Sequence, residues 1–181
     1  METSEARIFN LDQYNYPRFR GKIIELYLHA FTTGDYAQYY TNEAAESKLD
    51  ELVRKGSGNM AFIGDRLAGV LLAFSLKKDL DFPVETCPEI PVESSIYIAE
   101  LMVHTDFRGR AVATELLNNY LTQASHNCTD AVIRVWKENK PAMSLYQKLG
   151  FKPVATIFQP KIRATGEHFQ MEKLYLHKSL Q

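Results

Sequence analysis

Cysteine is scarce in this chain. Among 181 residues only Cys87 and Cys128 occur, with no Cys-x-x-Cys pair and no histidine at ligand spacing beside either. That pattern argues against a disulfide framework or a zinc-type site and leaves two buried or incidental thiols as the expectation. His104, His126 and the remaining histidines stand singly, so no metal site is expected. Long apolar runs are missing as well. The longest, Leu67 to Phe74, falls far short of the roughly 18 residues a spanning helix needs. The first residues, Met1-Glu2-Thr3-Ser4-Glu5, are acidic and polar. A soluble, cytoplasmic protein without a membrane partner is expected. Charge of one sign is also lacking. A formal net charge of -1 and a pI near 6.5 give no general attraction to nucleic acid, so a basic site must be local. Finally, there is no internal repeat, no low-complexity segment, and no Gly-x-Gly-x-x-Gly or Walker sequence.

With 45% hydrophobic residues, residues 1–181 suit one domain that buries roughly 70% of its unfolded surface. Its centre is the stretch from Ser95 to Leu117. Ser95 to Val103 is nearly continuous in apolar and β-prone residues, as in a strand covered on both faces. Glu100 interrupts it, and a carboxylate there must be paired, solvated through a cleft or held for chemistry. Ala113, Leu116, Leu117, Tyr120, Leu121 and Ala124 then repeat as the stripe of a helix packed on a sheet. The turn Arg108-Gly109-Arg110-Ala111-Val112-Ala113 therefore lies at a helix N-terminus. Unpaired N–H groups and the positive dipole end meet two guanidinium groups there, an anion site suited to phosphate or pyrophosphate.

Around this centre, Arg7 to Leu11 reads as a strand, and Ile23, Ile24, Tyr27, Leu28 and Phe31 as a helix ending by Gly34. Thr41-Asn42 caps a second helix that closes at Lys55 with Gly56 as its C′ glycine. Asn59 to Ile63 and Leu67 to Leu76 form a hairpin around Gly64-Asp65-Arg66. Lys77 to Ser94 carries three prolines and five acidic residues and reads as a long loop attractive to cations. Ala131 to Trp136 is a strand, and Asn139-Lys140-Pro141 opens a helix ended by Gly150. Phe151 to Phe158 and Phe169 to His177 close the chain as strands, with Pro160 to Glu167 as the loop between them. The order β-α-α-β-β-β-α-β-α-β-β predicts an α/β (α+β) domain with three layers, a mixed sheet of about seven strands and helices on both faces.

The segments Glu100-Leu-Met-Val-His-Thr-Asp-Phe-Arg-Gly-Arg-Ala-Val-Ala-Thr and Val135-Trp-Lys-Glu-Asn-Lys-Pro-Ala-Met-Ser-Leu-Tyr-Gln-Lys-Leu-Gly-Phe151 resemble the GCN5-related N-acetyltransferase (GNAT) family. Met171-Glu-Lys-Leu adds a weaker match, and the likeness spans residues 60 to 176. The resemblance implies a GNAT-like fold and an acetyl-CoA-dependent N-acetyltransferase in which a primary amine attacks the thioester directly in a ternary complex. It implies that Arg108, Gly109, Arg110, Ala111, Val112, Ala113 and Thr114 bind the pyrophosphate through backbone N–H groups. The pantetheine arm would pair with Leu101, Met102 and Val103 and meet Asn139. Tyr146 would protonate the departing thiolate, and Glu100 would be the base. The chain departs from the family turn at Ala111, usually glycine. A residue entering a helix is expected to have negative φ and to need no glycine there.

A non-catalytic sensor or scaffold that binds CoA or acyl-CoA is the alternative, with Glu100 and Tyr146 then structural. The acceptor, a small-molecule or protein amine, is expected to meet the region of Tyr36, Tyr39 and Tyr40 and the loops at 77–94 and 160–167. The acidity of the first loop favours a cationic amine. An exposed edge strand near Phe169 to His177 leaves a homodimer open.

Overall fold

The computed structural model describes residues 5–35 and 37–181. Its strands are β1 (Arg7–Leu11), β2 (Ser57–Ile63), β3 (Arg66–Ser75), β4 (Ser95–Val103), β5 (Asp130–Trp136), β6 (Lys152–Ile162) and β7 (His168–Ser179). They form one sheet in the order β1-β2-β3-β4-β5-β7-β6. Only β4 and β5 run parallel. A parallel pair needs a crossover, and α3 (Val112–Ala124) supplies it. The helices α1 (Tyr16–Thr32) and α2 (Asn42–Lys55) cover one face, with Ile23, Tyr27, Leu49 and Val53 in a core shared with Val70, Leu72 and Tyr97. On the other face, Leu116 and Leu117 of α3 and Tyr146 of α4 (Lys140–Lys148) pack with Leu71, Ile98 and Ile133. This is the three-layer α+β architecture that the order of elements implies.

Local rules account for most boundaries. Thr41 Oγ1 accepts from the Ala44 N–H at 3.1 Å and caps α2. Arg20 ties α1 to α2, with Nε 2.9 Å from Asp50 and a terminal nitrogen 3.1 Å from Glu46, while the Tyr16 hydroxyl donates to Asp50 at 2.9 Å. The pair of helices is thereby held as one lid over the sheet.

Three expectations are corrected. Gly56 is not a left-handed C′ residue, because its φ is -160°. It is glycine because a Cβ there would lie 1.9 Å from the Ala73 carbonyl oxygen. The final strand is not an edge. β7 lies between β5 and β6, and the edges are β1 and β6. The loop at 160–167 is shorter than expected, since β6 runs to Ile162 and β7 resumes at His168. Pro160 does not end the strand because an edge strand has no outer neighbour needing its missing N–H. Among the described residues no helix is long and apolar enough to cross a membrane.

Candidate active site

β4 and β5 are paired only from Ser95 with Asp130 to Ile98 with Ile133. Beyond that point the strands part, although β4 continues to Val103 and β5 to Trp136. A cleft of about 410 Å³ opens where they separate, walled by Ala99, Glu100 and Leu101 on one side and Ile133 to Trp136 on the other. Leu101 thus faces the cleft as expected. Met102 is buried in the core under α1 and α2, and neither it nor Val103 lines the cleft. The β4 main chain beyond Ile98 has no strand partner on the β5 side, so it presents free N–H and C=O groups there.

A bulge decides where Glu100 points. Leu72 pairs with Glu100, but Ala73 pairs with Ile98, so Ala99 is the extra residue. The alternation is shifted by one, and Glu100 comes onto the same face as Tyr97, toward α1 and α2. Burial raises the Glu100 carboxyl above its ordinary value, and the nearby charges of Lys48, Lys173, Arg134 and Lys161 oppose that rise.

Tyr146 reaches the same cleft from the opposite face of the sheet, through the gap between the strands. It is 6% exposed, and its phenol is pushed well above 10, first by burial and then by the charge of Glu100. Asn139 accepts from the Ala142 N–H at 3.3 Å, capping α4, and also lines the cleft. One side chain therefore sets the start of the helix that carries Tyr146 and forms part of the wall. The parted strands bring Glu100, Leu101, Asn139 and Tyr146 together.

The basic turn precedes α3 at the end of β4. Gly109 has φ 74° and Ala111 has φ 59°. The expectation of negative φ at Ala111 is corrected: the residue is left-handed, the conformation for which glycine is suited. The chain must reverse between the extended backbone of Arg108 (φ -64°, ψ 151°) and the first turn of α3, and two left-handed residues make that reversal. Among the described residues the N–H groups from Gly109 to Thr114 have no acceptor within the protein, whereas the Glu115 N–H donates to the Ala111 carbonyl at 2.9 Å. Arg108 and Arg110 are exposed, with Arg110 standing 5.7 Å from the Phe107 ring centre. This row of free donors, followed by a helix dipole and flanked by two guanidinium groups, fits a pyrophosphate. The turn lies outside the walls of the 410 Å³ cleft.

The cleft's other end shows what sequence reasoning missed. Lys48 of α2, Lys161 of β6 and Lys173 of β7 line it, as does Arg134 of β5. No local signal marks them, since lysines on helices and strands are ordinarily solvent-facing. Strand parity is the one clue: Lys173 shares a face with Met171 and the buried Tyr175. Tyr40 lines the cleft, Tyr39 is 59% exposed, and Tyr36 lies outside the described residues. The acidic loop is less available than expected. Asp79 accepts from the Tyr175 hydroxyl at 2.7 Å and lies 3.8 Å from Arg134, and Asp81 is 3.1 Å from Arg134 and accepts from Gln159 at 2.9 Å. Glu93 pairs with Lys77 at 3.0 Å. Among the described residues no group of three His, Cys, Asp or Glu side chains is placed to hold a metal ion.

The sequence profile of the acetyltransferase (GNAT) family matches residues 20–151. No curated protein matches the chain. Among solved structures, an N-acetyltransferase from Staphylococcus aureus Mu50 superposes with a TM-score of 0.71 at 16% identity, covering 98% of this chain and 100% of that one. The protein yncA from Salmonella typhimurium, solved with its cofactor acetyl-CoA, gives 0.70 at 15% identity, covering 98% and 95%. The ribosomal-protein-S18-alanine N-acetyltransferase from Escherichia coli gives 0.66 at 10% identity, covering 97% and 94%. At such identities the likeness establishes the fold.

Proposed function

The chain belongs to the acetyltransferase (GNAT) family, and we propose that it transfers the acetyl group of acetyl-CoA to a primary amine, both being bound at once. The observation that carries this reading is the gap between β4 and β5, which joins free main-chain donors, Glu100 and Tyr146 in one cleft. Acetyl-CoA, when bound, supplies the acetyl group as a thioester.

The chain's own residues suit its parts. The free N–H groups from Gly109 to Thr114, with Arg108 and Arg110 beside them, would hold the pyrophosphate. The unpaired edge of β4 at Leu101, with Met102 and Val103 following, would hold the pantetheine arm, with Asn139 across the gap. A β4 N–H near Leu101 or Met102 would polarise the thioester carbonyl.

An ammonium with an ordinary pKa near roughly 10.4 must lose a proton before its nitrogen can attack. Glu100 takes that proton, and its raised pKa makes it a better acceptor than a solvated carboxylate. The amine nitrogen then bonds to the carbonyl carbon, the C–S bond breaks, and the amine's second proton passes to water as the amide forms. Tyr146, its phenol raised by burial, is protonated at neutral pH and donates its proton to the departing sulfur. Solvent restores it. Holding the two reactants together contributes more than either proton transfer, since orientation supplies roughly 7–11 kcal/mol against about 10²- to 10⁴-fold for one positioned acid or base.

The test combines a thermal-shift titration with acetyl-CoA and a thiol-release assay over a panel of amines. Stabilisation with amine-dependent CoA release is expected. Stabilisation with no release from any amine would reduce the protein to a CoA-binding module, and no stabilisation would remove the cofactor assignment.

A further inference from the structure

We propose that the acceptor amine carries an anionic group, a carboxylate or a phosphate, and that Lys48, Lys161 and Lys173 receive it. The inference rests on the acetyl-transfer reading above and names the substrate class for the same cleft.

Three lysines from three separate elements face one cavity, which Lys55, Lys78 and Arg134 also line as cations and Glu51, Asp79, Asp81 and Glu100 line as carboxylates. Among the described residues none of the three has a carboxylate within 4.0 Å, whereas Lys55, Lys77 and Lys137 on the same molecule each do. Of the carboxylates other than Glu100, Glu51 is paired with Lys55, and Asp79 and Asp81 are engaged with Arg134, Tyr175 and Gln159. The lysine charges are therefore in excess over the free carboxylates of the cleft.

Their placement is also unusual for solvated lysines. Lys173 stands on an interior strand, between β5 and β6, and faces inward with Met171 and Tyr175. Desolvation, the charges of Lys161 and Arg134, and that of Lys48 lower its ammonium to about 8, while Glu100 opposes that fall. Like charges crowded into a partly desolvated pocket are costly unless an anion neutralises them. The same field repels an ammonium, so a purely cationic amine or a polyamine is disfavoured. An amine that also bears an anion is drawn in by that group, and its nitrogen is left in surroundings that favour loss of its proton to Glu100. The acidic loop's bias toward cationic acceptors is thereby reversed.

The test uses matched pairs that differ in the anion: O-phosphoethanolamine against ethanolamine for phosphate, glycine against glycinamide for carboxylate, with spermidine as the cationic arm. Binding is measured by calorimetry on the whole protein saturated with CoA, and CoA release is measured in parallel from acetyl-CoA. The anionic member of at least one pair should bind at least about tenfold tighter, as a charge-assisted contact implies. Lys173→Met and Lys161→Gln should each remove most of that advantage through KM rather than kcat, and Lys173→Arg should restore part of it. The pair that shows the advantage distinguishes carboxylate from phosphate. Equal binding within both pairs, or preference for spermidine, overturns the inference while leaving acetyl transfer intact. Absence of CoA release from every amine overturns the transfer reading and this inference with it.

Discussion

The two regions proposed to hold anions are built in opposite ways. The turn from Arg108 to Thr114 uses consecutive residues, and its donors are main-chain N–H groups held by two left-handed residues and a helix start. The lysine end of the cleft uses side chains from the β6–β7 hairpin and from α2, which lies far away in sequence, and they meet because the sheet order places β7 beside β5. A backbone site depends on conformation and tolerates changes of side chain. A side-chain site depends on each charged group and is sensitive to single substitutions. Glu100 and Tyr146 line the same cleft as the lysines and meet through the gap in the sheet.

The contrast can be broken by substitution, and the largest effect belongs to the gap. Tyr146→Phe should lower kcat by about 10²- to 10⁴-fold with acetyl-CoA binding retained in a thermal-shift titration. Unchanged turnover would take Tyr146 out of the chemistry. Next comes Lys173→Met, expected to raise KM for an anionic amine by about tenfold. Its pH dependence follows from the ammonium at about 8: below that pH Lys173 is charged and attracts the anion, and above it the attraction fades. Calorimetry from pH 7 to 9 should show affinity falling in the native protein and a flatter profile in the variant. The groups facing Lys173 are Lys161, Arg134, Glu100 and Lys48.

Glu100→Gln should move two quantities in opposite directions. The raised carboxyl means the folded protein takes up a proton more readily than the unfolded chain, so the charged form costs stability at neutral pH and that cost disappears as pH falls. The amide should therefore unfold at higher denaturant concentration at pH 7, yet lose the acidic limb of the rate profile. A variant no more stable than the parent would show that Glu100 is well solvated.

The backbone site should give the smallest changes. Arg108→Ala, at an exposed guanidinium, should weaken acetyl-CoA by no more than about fivefold. Ala111→Gly relieves a left-handed alanine and should stabilise the fold by about 0.5–1 kcal/mol, measured by chemical unfolding. A loss of stability there would mean that the turn does not hold this conformation in solution.

Legibility in the sequence followed the same division. The turn before α3 was readable because it is local: a strand, a basic glycine turn and a helix stripe occupy adjacent residues. Asn139 as a cap and Thr41 as a cap were readable for that reason too. Ala111 was misread because its φ is set by the reversal between strand and helix, which neighbouring residue types do not reveal. Gly56 was placed correctly but for the wrong reason, since the constraint is the Ala73 carbonyl of another strand. The last strand was misplaced at an edge because sheet order is a property of long-range pairing. The lysines escaped notice because each looks like an ordinary surface residue in its own element.

What the sequence determined by itself was the alternation of elements, the helix starts and stops, the basic turn before α3 and the family. These depend on neighbours within a few residues, through backbone sterics, capping and periodicity. What only the tertiary structure decided was the bulge at Ala99 that turns Glu100 toward α1 and α2, the parting of β4 from β5, and the meeting of Lys48, Lys161 and Lys173. Those features arise from strand register and sheet order, where a shift of one residue or an exchange of one neighbour changes which side chains share a cavity.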